Sequence, residues 1–205
     1  MVNGVSVRMC EYIRNGSRRG FSEKKALGDS EMSSYKETDY KVFELFEKNW
    51  ALVTAGNLEH FNGCTVGWGC MGTIWNKPIV TVFLHPARYT RDFLRENDSF
   101  TVSFFPESRK KALGIMGSRS GRDGDKVSAA GLTPVAVGDS VGYQEANLTF
   151  LCRKLYQHQF EKTDLAPEIQ EYYRSYPKAY PPDEKGDWQP HWVFVGEVIE
   201  TVEKT

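Results

Sequence analysis

Three compact apolar runs limit what this chain can fold into. WALVTA (residues 50–55) is closed by Gly56 and Asn57, IVTVFL (79–84) follows Pro78, and SFTVSFF (99–105) is stopped by Pro106. Each is short, rich in β-branched or aromatic residues and bounded by turn formers, the pattern of a strand. IVTVFL is apolar on both faces, which fits a buried strand. Residues 132–137, 146–156 and 192–202 read as further strands, the last two long enough to cross a barrel and keep pairing. Only short helical stretches fall between them: 39–48, with Val42, Phe43, Leu45 and Phe46 as an apolar stripe, 89–97 around Phe93 and Leu94, and 110–116. The β-α-β-α alternation of a doubly wound sheet is missing. The expectation is a mainly β barrel with short peripheral helices.

Composition narrows the function classes. The 205 residues suit one domain or two small ones. With 26 basic and 27 acidic side chains the formal charge is −1. That balance argues against a nucleic-acid binder, which carries a basic excess to neutralise phosphates. No apolar run approaches the roughly 20 residues that span a bilayer, so no membrane span is expected. Cys10, Cys64, Cys70 and Cys152 form no C-x-x-C pair and are too sparse for a disulfide scaffold. They read as reduced thiols in a cytoplasmic protein, with no metal site.

The ends of the expected domain differ from its middle. The first 31 residues mix Arg and Lys with Gly, Ser and Asn, lack an apolar core and carry acidic side chains, so neither a secretory signal nor a transit peptide fits. The folded part is expected to begin near Met32, with residues 1–34 a disordered extension and 35–205 a single domain. A misplaced start or a basic docking arm are the other readings of the extension. Residues 162–190 hold Tyr172, Tyr173, Tyr176 and Tyr180 and five prolines. They read as an insertion, with one short helix around 168–174 followed by an irregular covering loop.

One motif misleads. Gly67-Trp68-Gly69-Cys70-Met71-Gly72 matches G-x-G-x-x-G, but a dinucleotide site needs that motif to open a helix. Pro78 and a β-branched run follow instead. The glycines are read either as a close backbone approach to a flat or charged group or as part of a bulged barrel strand.

Three polar segments interrupt the strands: N-G-C-T-V-G-W-G (62–69), R-Y-T (88–90) and S-R-S-G-R-D-G-D-K (118–126). Two of them pair cations with hydroxyls and glycines, a mixture that suits a phosphate. Arginine offers a bidentate fork, while hydroxyls and backbone N–H groups fill the remaining lone pairs. Each segment alone could be a solvated loop.

Taken in order, these segments resemble the flavin reductase-like family of FMN-binding split barrels, in particular its flavoredoxin-like branch. The resemblance covers roughly residues 49–153 and HWVFVGEV (191–198). It rests on N-G-x-T-x-x-W, K-P before a strand, R-Y-T opening a helix, F-T-V-S-F, S-G-R-D-x-D-K and a closing H-x-x-x-x-G-E-V strand. It implies a six-stranded antiparallel Greek-key split barrel, working as a homodimer with FMN near the subunit interface. It also implies site residues. Asn62, Thr65 and Trp68 would line the isoalloxazine and ribityl chain. Arg88, Tyr89 and Thr90 would sit on the phosphate side, and Ser120 and Lys126 would form a second arm around the flavin. His191 would lie near the nicotinamide or the ring as the catalytic residue, with His158 a competing candidate and a strand-edge histidine without a role the plain alternative. For Trp68 the plain alternative is core packing. The family's usual long C-terminal tail is not matched, and the 162–190 stretch is extra. That stretch could cap the flavin, remake the dimer contact or restrict the donor. The implied function is an FMN-binding oxidoreductase reduced by NAD(P)H that passes electrons to an unknown acceptor or a redox partner protein. An electron carrier or sensor without NAD(P)H turnover is the alternative, and a barrel for another phosphorylated cofactor or haem is a third reading.

Overall fold

Residues 39–204 are described by the structure, a computed structural model; the extension expected over 1–34 lies outside them. The described chain is mainly β, as the apolar runs require. β1 (Ala51–Asn57), β2 (His60–Val66), β3 (Gly69–Ile74), β4 (Lys77–Leu84), β5 (Ser99–Phe104), β8 (Leu148–Gln159) and β9 (Trp192–Glu203) form one antiparallel sheet. Its strand order is β2-β1-β5-β8-β9-β4-β3. A separate hairpin pairs β6 (Pro134–Val137) with β7 (Ser140–Tyr143).

β2 and β3 lie at opposite ends of that order, yet only Gly67 and Trp68 separate them. A link this short spans about 3.6 Å per residue at most. The two edges must therefore meet, and the sheet curls into a barrel. The Phe83 N–H donates to the Trp68 carbonyl at 3.4 Å, tying this corner to β4. α2 (Thr90–Glu96) then carries the chain to β5, which pairs with β1 and completes a Greek-key return. The sheet has seven strands rather than the expected six, because the chain bends at Gly67–Trp68 and serves both edges with one stretch. Sequence patterning missed β2 and β3 as strands because their small and polar residues lack the apolar alternation that marks one.

The barrel interior is filled by Phe100, Phe150, Phe194, Val80, Val82 and Val102, all fully buried. β5 is buried along its whole length. Its outer side is covered by the β6–β7 hairpin and α3 (Lys110–Ser118), through a second cluster of Leu52, Phe105, Leu113, Met116, Leu132 and Tyr143. Polar residues in that layer are paired: Thr54 with the Tyr143 hydroxyl at 3.1 Å and Ser103 with Thr149 at 3.0 Å. The helix expected over 39–48 is shorter and partly π-wound, with α1 (Val42–Glu44) followed by a π turn over Leu45–Asn49. Phe46 alone of its apolar stripe is buried, while Phe43 is 89% exposed. The insertion contains the helix that its sequence implied, α5 (Pro167–Ser175), and irregular chain from there to β9. Pro167 stands at the helix start, where its missing N–H costs nothing.

Gly196 marks how closely β9 packs. A Cβ there would lie 2.6 Å from Cys152 Cβ and 2.6 Å from the Phe100 ring. Gly196→Ala is expected to destabilise the chain by about 1–3 kcal/mol, the usual cost of overpacking a core. Gly72→Ala, with no atom within 4 Å of the new Cβ, serves as the control. Urea midpoints check this: the Gly196 variant should fall well below wild type and the Gly72 variant should stay close to it.

Candidate functional site

Two groups of side chains meet at one end of the barrel, with Arg88 between them. The first is built where β2, the start of α2 and the loop after α3 converge. Asn62, buried on β2, donates through Nδ2 to Thr90 Oγ1 at 2.8 Å. Thr90 is the first residue of α2 and is fully buried. Thr65 lies on the same strand and donates to the Leu113 carbonyl at 2.6 Å. Gly121 backs onto Asn62 so closely that a Cβ would fall 2.3 Å from Oδ1. This is one position in the S-G-R-D motif where only glycine fits.

The rest of that motif fastens the loop. Arg122 pairs with Asp92 at 2.7 Å and lies 4.0 Å over the Tyr89 ring. Ser120 Oγ accepts from the Arg122 N–H. Asp125 caps α4 (Lys126–Ala130) by accepting from the Val127 and Ser128 N–H groups. Ser128 pulls the Asp125 carboxyl below its ordinary pKa. Tyr89 and Ser120 thus have structural partners at the loop's outer side.

Arg88 and Lys126 bring the charge. The Arg88 guanidinium is exposed and donates to the Gly117 carbonyl at 3.1 Å. Lys126 is only 4% exposed and donates to the Met116 and Arg119 carbonyls, both at 3.2 Å. It thereby satisfies orphan carbonyls at the C-terminal end of α3. Burial lowers the Lys126 pKa. Among the described residues, no carboxylate lies within ion-pair distance of either cation. Cys64 faces the same space; its thiol is raised by burial and drawn back by Thr90, Lys126 and Arg88. A concavity of about 420 Å³ opens here between Asn62, Gly121, Gly124 and Lys126.

The second group is aromatic. Trp68, at the corner between β2 and β3, is 41% exposed, so it is not a core residue. Its ring stands 4.6 Å from His191, 5.7 Å from Tyr180 and 6.2 Å from Tyr172. His191 precedes β9 and is 6% exposed. Tyr173 from α5 lies 2.7 Å from its Nδ1. His85, just past β4, is equally buried, accepts at Nδ1 from the Ala87 N–H and uses Nε2 toward the Gln189 carbonyl. Burial lowers His85 to about 4, and burial with repulsion from His85 and Arg88 lowers His191 to about 3. His158 stands apart, exposed on β8 and stacked on Tyr156. Beyond Trp68 a larger apolar concavity, about 1080 Å³, runs between Phe46, Trp50, Met71, Phe83 and Tyr172.

The structure therefore brings Asn62, Thr65, Arg88, Thr90 and Lys126 together and sets Trp68 with His191. Sequence reasoning missed His85 and Tyr173. His85 carried a signal, as it ends a strand directly before R-Y-T; Tyr173 had none, since nothing local distinguishes it from its neighbouring tyrosines.

The fold and site define a Greek-key split barrel with two cations on one side of its mouth and an aromatic wall on the other. Residues 43–205 match the flavin reductase like domain, and the chain belongs to that family. The fold is shared with solved structures of low sequence identity. An FMN-binding protein from Thermus thermophilus is 20% identical, with 91% of this chain and 80% of that chain covered at a TM-score of 0.57. Flavoredoxin from Methanosarcina acetivorans is 19% identical, with 89% and 76% covered at 0.57. An NADH:FAD oxidoreductase from Streptomyces globisporus is 15% identical, with 76% and 74% covered at 0.55. A comparison with curated protein sequences finds no significant match. Among the described residues no helix is long and apolar enough to cross a membrane, and no group of acidic, His and Cys side chains is arranged to hold a metal.

The two buried histidines make stability depend on pH. Unfolded, each titrates near 6.5; folded, each stays neutral down to about 4 or 3. Below about pH 6.5 the unfolded chain takes up protons that the folded chain refuses, so stability falls as pH falls. The slope is about 1.4 kcal/mol per pH unit for each histidine until its folded value is reached. Urea unfolding at neutral and mildly acidic pH should show this loss, and His191→Gln should reduce it.

Proposed function

We propose that this chain is an FMN-binding oxidoreductase, with the phosphate held among Arg88, Thr90, Asn62 and the 118–126 loop and the ring presented beside Trp68. The observation that carries this reading is the pair of cations, exposed Arg88 and buried Lys126, that lie close enough to repel one another and have no carboxylate within ion-pair distance among the described residues. A phosphate supplies the missing counter-charge. Each charge-assisted hydrogen bond contributes about 1.5–3 kcal/mol. Three of them provide a large part of the roughly 8 kcal/mol behind a micromolar complex. The Asn62–Thr90 pair and the Gly121 cradle fit the same role, since both are held rigidly before any ligand arrives.

Bound FMN would supply the hydride- and electron-accepting ring, and the chain needs no nucleophile of its own. Its residues bind the phosphate, orient the ring and exclude water. His191, neutral at physiological pH, serves as a hydrogen-bond donor rather than a proton source. NAD(P)H is the proposed hydride donor, a role for which the NADH:FAD oxidoreductase of the same fold is a precedent. The electron-carrier reading has its own support: the 162–190 segment lays Tyr172 and Tyr180 against Trp68, which narrows access to that ring. A homodimer is supported by Phe43 and Ile169, exposed apolar side chains that line the large apolar concavity. The described cysteines are unpaired, in keeping with a reducing, cytoplasmic setting.

An absorption spectrum of the purified protein, before and after adding FMN, followed by anaerobic NADH and then NADPH, tests the proposal. Flavin bands that bleach with a nicotinamide support the reductase. Bands that bleach only with dithionite favour the carrier, and no bound flavin after adding FMN rejects both. Arg88→Ala is expected to weaken FMN binding about 10- to 100-fold by fluorescence titration, the loss of one charge-assisted contact. Cys64→Ser, which removes no charge from the pocket, should bind far closer to wild type.

A further inference from the structure

The insertion contributes a group to the site, beyond covering it. Tyr173 projects from α5, and its buried hydroxyl meets His191 twice, 2.7 Å from Nδ1 and 3.2 Å from the backbone N–H. A backbone N–H only donates, so the tyrosine oxygen accepts there. Its single proton is then free to point at Nδ1, which becomes an acceptor. A neutral imidazole accepting at Nδ1 carries its proton on Nε2.

We propose that Tyr173 is a positioning residue that fixes His191 as the Nε2–H tautomer, so that the insertion gives the site a neutral hydrogen-bond donor beside Trp68 for an acceptor atom of the flavin ring. This rests on the flavin reading given above. The groups around the ring agree with it. His85, from the end of β4, has its ring centroid 5.3 Å away and is held neutral by burial, with Nδ1 accepting from the Ala87 N–H and Nε2 facing the Gln189 carbonyl. Tyr180 lies at 5.3 Å and Trp68 at 4.6 Å. Arg88, following β4, is the charged group that acts on the ring, and it opposes a second cation. No carboxylate is among the groups that act on His191. Protonation at Nδ1 would reverse that bond and turn the Tyr173 proton away from the ring, since the hydroxyl oxygen would then accept from both Nδ1 and the backbone N–H.

Nitrogen-15 NMR of ring-labelled histidines in the full chain without flavin tests the proposal, with His191→Gln used to assign the signal. The wild-type ring should show a protonated Nε2, an unprotonated Nδ1 that accepts a hydrogen bond, and no titration between about pH 5 and 8, the range in which an ordinary histidine changes charge. In Tyr173→Phe the Nδ1 signal should lose its hydrogen-bond shift, and the neutral ring should begin to populate the Nδ1–H tautomer. Adding FMN to wild type should move the Nε2–H resonance. A wild-type ring protonated at Nδ1, or one that titrates near 6.5, overturns the proposal without any variant. A Tyr173→Phe spectrum identical to wild type, with the same tautomer and the same Nδ1 shift, overturns it as well. An Nε2–H resonance unmoved by FMN that binds overturns the role toward the flavin. Failure of FMN to bind at all rejects the flavin reading and leaves the tautomer result standing by itself.

Discussion

The two-residue link between β2 and β3 is the constraint on which this structure depends. Gly67 and Trp68 join strands that lie at opposite edges of a seven-stranded sheet. Backbone reach brings the end of one edge to the start of the other at this corner, so the sheet must curl round on itself. The curl buries Phe100, Phe150 and Phe194 inside and turns the corner residue outward. Trp68 is at the mouth of the barrel because it is at that corner. Its partners follow from the same curl: β4 ends next to it, which delivers His85 and Arg88, and β9 begins next to it, which delivers His191.

The mouth is electrostatically divided. On one side Arg88 and Lys126 stand among hydroxyls, amides and helix-end carbonyls, with no carboxylate within ion-pair distance among the described residues. On the other side two histidines are buried and held neutral, and the surroundings are aromatic. Arg88 acts on both sides, since its charge is felt by Cys64 and Lys126 and equally by His85, His191 and Tyr180. A long ligand with an anionic end and a flat, uncharged end matches that division. The 162–190 segment deepens it, because Tyr173 and Gln189 fasten to the two histidines and keep water from their rings.

Much of this was legible in the chain. WALVTA, IVTVFL and SFTVSFF became β1, β4 and β5 nearly at the expected bounds, since short β-branched runs between turn residues have few other options. α5 also fell where the tyrosine-rich stretch implied it. The failed G-x-G-x-x-G match was settled as expected, with β3 running through it. β2 and β3 were not legible as strands, because a strand of Asn, Gly, Cys and Thr is held by its pairing to β1 or β4 and not by its own propensity.

The sequence by itself determined the apolar strands, the segments that carry cations and hydroxyls, and the family those segments resemble. Local pattern and residue chemistry are enough for that. Only the tertiary structure decided which of those residues share a pocket. It turned Lys126 inward to cap α3, where a sequence shows only another charged loop residue. It buried His85 and His191 together, which fixes their neutral state, because desolvation depends on neighbours far apart in the chain. It also chose Tyr173 from among adjacent tyrosines, since a hydrogen bond to His191 requires the barrel end and α5 to meet in space.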